Sequence, residues 1–557
     1  MIRFYASFVI FLALTFAPTC FAQGEDPQAF TGIYVEVYVS GDLCPGNPSP
    51  GDGWAPVTGF PDRGSGCGGI PANGLAYGSN ISFFADSGRT YRIYAVSSVE
   101  SIGAINVSGS GYTLLVGAAT NSFPPFTNAG LQLPVPGGGN IGSINASGGT
   151  VQIRAKGEIL SVNAGTVIRV DARNGVGAVT SATSIGTVRA PNVSTVTAQT
   201  SITFVDVRNW DEGASASDYT STISATTGSV TRVTSTNARM QGAVTADQGS
   251  IDEVSSNIGI GPSTGTPALL RARNGITRVS APAINSNIDA RFNGGSGQIQ
   301  TLTTTAGGFS GSLQAAGIGS TGTGVSIMGP LLANVTITGT TQRPFVVSGA
   351  ASSSVRLAGT VSQPVSFGGG FSSGSLIVGD LSSTTLSVTG NLGATTSLGA
   401  VPSGSSVSVS GTQSGNVTLS GAMSGTFTIG GSLTGAVTLP AGGLVGQMII
   451  NRNNAGGTWT GPVMVGGPPL TPQPAYGMSS MIYGGGAVGL APFRLYNNDC
   501  MPNNYPLAPG AIMVGNFAGA AAVQLRMYGP VERADSAAAT DALPALVIEQ
   551  RQSDGTT

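Results

Sequence analysis

The sequence predicts an all-β protein built as a parallel β-helix (a β-solenoid), with small β-rich caps at both ends. Three observations predict it. Paired apolar residues recur at a fixed step, glycine sits at a fixed offset from each pair, and the composition is poor in charge yet rich in aliphatic side chains. Right-handed winding is the expectation, and the repeat itself does not specify the hand.

The paired residues are clearest between Val325 and Ile450. They run Val325/Ile327, Val335/Ile337, Phe345/Val347, Val355/Leu357, Val365/Phe367, Leu376/Val378 and Leu386/Val388. After a unit ending in Leu398 come Val407/Val409, Val417/Leu419, Phe427/Ile429, Val437/Leu439 and Met448/Ile450, at a step of ten residues, occasionally eleven. Alternation over three or four residues makes a short strand with one buried face. Glycine follows four places after the first member of most pairs, as at Gly339, Gly349, Gly359, Gly390, Gly411, Gly421 and Gly431. Such a position allows either positive φ or close backbone approach at a corner. A further apolar residue two places on, such as Val361, Phe371, Leu392, Met423 or Leu433, is expected to fill the core beside the turn. One unit cannot bury its own face, so units must stack.

An earlier stretch uses a step nearer nine. Its pairs are Ile141/Ile144, Val151/Ile153, Ile159/Val162, Val167/Val170, Val176/Val179, Ile185/Val188, Val193/Val196 and Ile202/Val205, continuing more loosely to Ile299/Leu302. Two units would make a coil of 18 to 20 residues and three a coil near 30; spacing leaves both open. An outer-membrane barrel needs longer strands and aromatic girdles, and aromatics are only 6% here. An antiparallel sandwich has no reason to hold glycine at one offset for a dozen units.

The expected organisation follows. Residues 1–22 read as a secretory signal, with Arg3, an apolar stretch from Phe8 to Phe16 and a cut after Ala22. Residues 23–100 form an N-terminal β-rich cap, 101–305 the solenoid with variable loops, and 306–455 the regular ten-residue solenoid. Residues 456–530 form a C-terminal β cap and 531–557 a flexible tail. No apolar run after the signal is long enough for a transmembrane helix. The mature chain is expected to be secreted or held at a cell surface.

Absences narrow the chemistry. The chain has no histidine, which excludes Ser-His-Asp and Cys-His catalysis and His-ligated metal sites. Lys156, the one lysine, stands outside any phosphate-loop context, so no nucleotide site is expected. A net charge of −2 without a basic run offers nucleic acid little to hold. Cys44 and Cys67 lie in a Gly/Pro-rich segment and are candidates for a disulfide in an oxidising compartment, leaving Cys500 unpaired.

Carboxylate chemistry remains. From Asp289 to Asp499 the only acid is Asp380, so a paired-carboxylate site cannot lie in the regular repeats. The richest patch is Asp206-Val-Arg208-Asn-Trp210-Asp211-Glu212, followed by Asp218-Tyr219. It breaks the nine-residue register and is therefore expected to loop out from the rod. Asp206, Asp211 and Glu212 with Arg208 are the candidates if the protein is an enzyme. Trp210 and Tyr219 could stack on a sugar, and the acids could hold Ca²⁺. A solvated loop with local salt bridges is the plainer alternative. Arg169, Asp171 and Arg173 are expected to point outward and pair across neighbouring coils. Outward Ser and Thr, as in Val335-Thr-Ile-Thr338, raise ice binding, but Arg356, Ile377 and Val346 break the row.

In general character the chain resembles secreted bacterial proteins with Gly/Ser/Thr-rich β-helical stalks, a class that includes adhesins and surface-layer components. The resemblance covers roughly residues 100–455 and rests on the repeat. It implies a non-catalytic extracellular structural or adhesive protein whose partners are polysaccharides or cell-surface components. The alternative is a polysaccharide lyase or glycoside hydrolase of the parallel β-helix type, with its site near residues 206–219.

Overall fold

The computed structural model describes residues 32–38, 54–60, 74–95, 101–118, 139–208, 219–236, 238–439 and 447–450, together with five further strands between Val463 and Tyr528. The chain is an all-β solenoid of about 15 turns whose strands stack in parallel. At a strand spacing of about 4.8 Å this makes a rod roughly 70 Å long.

Each coil holds two units, one per sheet. Val325 pairs with Phe345 and Phe345 with Val365, a repeat of twenty residues, while Val335 pairs with Val355 on the other sheet. The paired apolar residues all face inward and are buried, and the outward residue between them is partly or fully exposed. The extra apolar residues close the corners. Leu331, Ala351, Phe371 and Leu392 form one column of single parallel bridges, and Thr341, Val361 and Leu381 another. Phe367 meets Phe371 edge-on at 5.0 Å, so the core is filled by side chains stacked along the axis.

The fixed glycines serve close approach. A Cβ on Gly359 would lie 2.4 Å from the backbone of Gly339, and one on Gly349 would lie 2.5 Å from Gly329. Gly390 alone among the seven also takes positive φ, at 110°. Two glycine columns therefore let successive corners pack backbone on backbone.

The first half keeps the same core while its coil length changes. Ile185 pairs with Val167 below and Ile202 above, but Ile202 pairs with Val230, eleven residues further than the step before. Insertions go to the corners, so the core register survives them. At the N-terminal side, Ile33–Tyr38 lies antiparallel to Trp54–Pro56 and to Thr90–Ala95. Ile81–Ala85 and Thr90–Ala95 already stack in parallel on Ile105–Gly109 and Thr113–Ala118. Beyond residue 450 the strands from Val463–Val465 to Leu525–Tyr528 continue the parallel ladder. The signal segment, Cys44, Cys67, Cys500 and the tail 531–557 lie outside the described residues. No helix among the described residues is long and apolar enough to cross a membrane.

Candidate functional site: a charged face on one sheet

Because consecutive units alternate between two sheets, a feature carried by every second unit collects on one side of the rod. Charge does so between residues 151 and 208. On one sheet Arg154, Asp171, Arg189 and Asp206 occupy the same register position in four successive coils, followed by Thr234, Ser255 and Ser280. Two residues earlier in each strand runs a second column: Gln152, Arg169, Thr187, Phe204, Arg232, Glu253 and Arg278. The equivalent column on the opposite sheet is Asn145, Asn163, Thr180, Thr197 and Ser224, joined by an Asn163 to Asn145 amide hydrogen bond of 3.1 Å. Between residues 151 and 208 the first columns are ionic and the opposite one is neutral and polar; further along, the opposite column takes up Arg271 and Asp289.

Alternation along each strand puts these side chains outside the apolar core. Asp206 illustrates what the ladder does to them. It is 0% exposed although Val205 and Val207, its neighbours, face the core. Arg208 pairs with it closely, Arg189 reaches it at 3.6 Å, and the Thr234 hydroxyl donates to its Oδ1 at 2.9 Å. Asp171 is likewise covered, with the Arg169 Nε donating at 2.5 Å. Arg189 and Arg232 each lie 5.5 Å from the Phe204 ring centre, and Arg232 pairs with Glu253 at 3.1 Å. Arginine stacks and forks in this way while remaining charged. Burial pulls the Arg154 guanidinium below its ordinary range; Asp171 opposes that shift and Arg169 adds to it.

No family model, curated protein or solved structure matches the chain.

The expected loop is therefore corrected in part. Asp206 belongs to the strand Ile202–Val207 and Arg208 follows directly, so neither projects from the rod. Their register partners lie in other coils, which overrode the apparent break in spacing. Trp210, Asp211 and Glu212 lie outside the described residues, and Tyr219 opens the strand Tyr219–Ala225. Arg169 and Asp171 pair within one strand, two residues apart, and Asp171 also acts electrostatically on Arg154, its register partner in the neighbouring coil. The Ca²⁺ expectation rests on acids outside the described residues, since Asp206 is already held by two guanidiniums. Among the described residues no three His, Cys, Asp or Glu side chains group as a metal site.

Arg154, Arg189, Phe204, Arg232 and Glu253 are site residues that sequence reasoning missed. A signal for the first column is present. Arg154, Asp171, Arg189, Asp206 and Thr234 each directly follow the second member of an apolar pair, in every second unit. Reading that offset with a two-unit coil would have found it.

Proposed function

We propose that the protein is a non-catalytic extracellular structural or adhesive rod that presents its ionic side to a polysaccharide or cell-surface partner. The observation that carries this reading is the occupation of the carboxylates. A glycosidase or lyase needs acids free to exchange protons with substrate, whereas Asp171 and Asp206 are covered and engaged by arginines. A long stack of near-identical coils also suits a spacer, since each coil adds length without new chemistry. The exported location rests on the leader-like first residues.

The test is co-sedimentation of the mature chain with a panel of acidic and neutral polysaccharides, with and without calcium. New reducing ends and unsaturated products are followed in the same samples. Binding without product supports the rod. Product release that disappears in Asp206→Ala or Asp211→Ala overturns it in favour of a polysaccharide-cleaving enzyme.

A further inference from the structure

The outward hydroxyls of the regular coils sort by sheet in a way the sequence alone conceals. Arg356 and Ile377, two of the residues that interrupt the Ser/Thr row, both lie in the column Thr336, Arg356, Ile377, Ser397. The other sheet carries Ser366, Ser387, Ser408 and Thr428 in one column through four successive coils, above the single interruption at Val346. Two further columns flank this one. Thr385, Ser406 and Thr426 stand two residues before it, and Thr389 and Ser410 two residues after it. All of these side chains are exposed or half-buried. They differ from hydroxyls at the corners, where Ser353 and Ser362 donate to backbone carbonyls of the coil below at 2.6 and 3.1 Å. Of the hydroxyls on this face only Ser410 has a hydrogen-bond partner among the described residues, accepting from the Gly390 amide at 2.8 Å. Between Leu357 and Leu439 the one charged side chain is Asp380, on a corner, where its Oδ1 accepts from the Ala400 amide at 2.7 Å. The face is therefore a neutral grid of unused hydroxyls, spaced about 4.8 Å from coil to coil and about 6.6 Å along each strand. Buried pairs behind it, such as Leu386/Val388 and Val407/Val409, hold the grid in place.

We infer that this hydroxyl face binds crystalline water, that is, a face of ice. In hexagonal ice each oxygen bonds its neighbours tetrahedrally at about 2.75 Å, which sets second neighbours about 4.5 Å apart and the repeat along the hexagonal axis at about 7.3 Å. The protein grid departs from these by about 0.3 Å per coil and about 0.7 Å per strand step, so Ser366 to Thr428 drift by about 0.9 Å. Rotation of a Ser or Thr hydroxyl between staggered positions spans more than that. A grid fixed before binding spares the cost of ordering its groups on contact. The lack of charge fits the same partner, since an ion has no place in a lattice of neutral molecules. A crystalline glycan fits less well, because no aromatic ring stands in these columns to stack on a sugar. The grid lies on the same sheet as the ionic columns but further along the rod, so the two are tested separately.

The experiment grows ice slowly from a solution of the fluorescently labelled full chain and compares the protein in the crystal with that left in the liquid. Thermal hysteresis is read on the same samples. Wild type should enter the ice and hold crystal growth below the melting point, while serum albumin, as a control, is excluded. Ser408→Tyr, at the centre of the grid, should hold the face off the crystal and bring incorporation down to the control level. Ser387→Tyr should do the same, and circular dichroism melts establish that each variant is folded; tyrosine suits an outward strand position. Ser408→Thr keeps the hydroxyl and should retain incorporation. Thr418→Tyr, exposed on the opposite sheet, should leave it unchanged. Exclusion of wild type from ice overturns the inference. Incorporation that survives in both folded tyrosine variants, or that is lost equally in Thr418→Tyr, overturns the assignment to this face. Binding to powdered cellulose or chitin that Ser408→Tyr abolishes, with exclusion from ice, gives the face to a crystalline glycan and overturns the choice of water. A dimer in analytical ultracentrifugation that Ser408→Tyr abolishes, again with exclusion from ice, gives it to a second copy of the chain. Polysaccharide binding through the ionic side is a separate result and stands or falls on its own assay.

Discussion

Asp206→Ala is the sharpest probe of whether the ionic ladder holds the variable half of the rod together. The substitution removes a carboxylate that is 0% exposed and leaves behind Arg189, 28% exposed, and Arg208, 42% exposed. Breaking a fully buried ion pair costs about 3–5 kcal/mol, but both arginines can turn toward water, which lowers the expectation to about 2–3 kcal/mol. Asp206→Asn keeps an oxygen for the Thr234 hydroxyl and should cost about half as much. Solenoids open locally, so the assay is native-state hydrogen exchange resolved by coil. Amides between residues 185 and 235 should exchange roughly 30- to 150-fold faster in Asp206→Ala, the factor that follows from that energy. Those between 345 and 400 should not change. The double variant Asp206→Ala/Arg208→Ala should cost less than the two single changes summed, because the second removes a charge the first has stranded. A change below threefold near Asp206, or strict additivity, would show that the arginines do not depend on this carboxylate.

Two further outcomes follow from the core. Gly359→Ala places a methyl 2.4 Å from the Gly339 backbone and should destabilise by about 1–3 kcal/mol in urea unfolding. The exposed neighbour Thr360→Ala should stay within about 0.5 kcal/mol. Tyr112, buried and donating to the Val107 carbonyl at 3.0 Å, has its pKa pushed up to about 12 by burial. A folded-state value above the unfolded one near 10 means that its contribution is complete below pH 10 and is lost as pH rises toward 12. Wild type should therefore lose about 2 kcal/mol more than Tyr112→Phe across that window, measured by urea unfolding at fixed pH values. Parallel curves for the two would refute it.

The stacking is legible in the sequence because burial on a narrow axis leaves few choices. Val325/Ile327 and their successors must alternate, and Val361 or Phe371 must sit where the corner needs filling. The reason for the glycines is not legible, since positive φ and close approach ask for the same residue. Only the 2.4 Å gap at Gly359 separates them. The ionic face is hidden for a different reason. Asp206 and Asp211 are neighbours in sequence, yet the strand ends at Val207, and the partners of Asp206 include Arg189, seventeen residues away, and Thr234, twenty-eight away. Without the coil length, three units or two, the offsets that bring Arg154, Asp171, Arg189 and Asp206 into line cannot be chosen.

The two halves divide labour through their corners, and this can be tested by deletion. In the variable half the core pairs stay in register while insertions leave at the corners, so side-chain chemistry can be added there without disturbing the stack. In the regular half most corners pack a glycine against the backbone of the coil below, and coil length varies only between twenty and twenty-one residues, so successive coils are close to equivalent. Removing residues 345–364, one complete coil, would bring Val325 onto Val365, Leu331 onto Phe371, Thr341 onto Leu381 and Gly339 onto Gly379. Each of these pairs restores a contact of the same kind as the one removed. The shortened chain should keep a cooperative melt, its β-type circular dichroism and its polysaccharide binding, while the rod loses about 4.8 Å. Removing only residues 345–349 would set corner positions beneath strand positions and expose apolar pairs, so that chain should lose the transition. If the whole-coil deletion unfolds as readily as the five-residue one, the coils are not interchangeable. The regular half would then carry a specific structure of its own, and its part as a spacer would have to be abandoned.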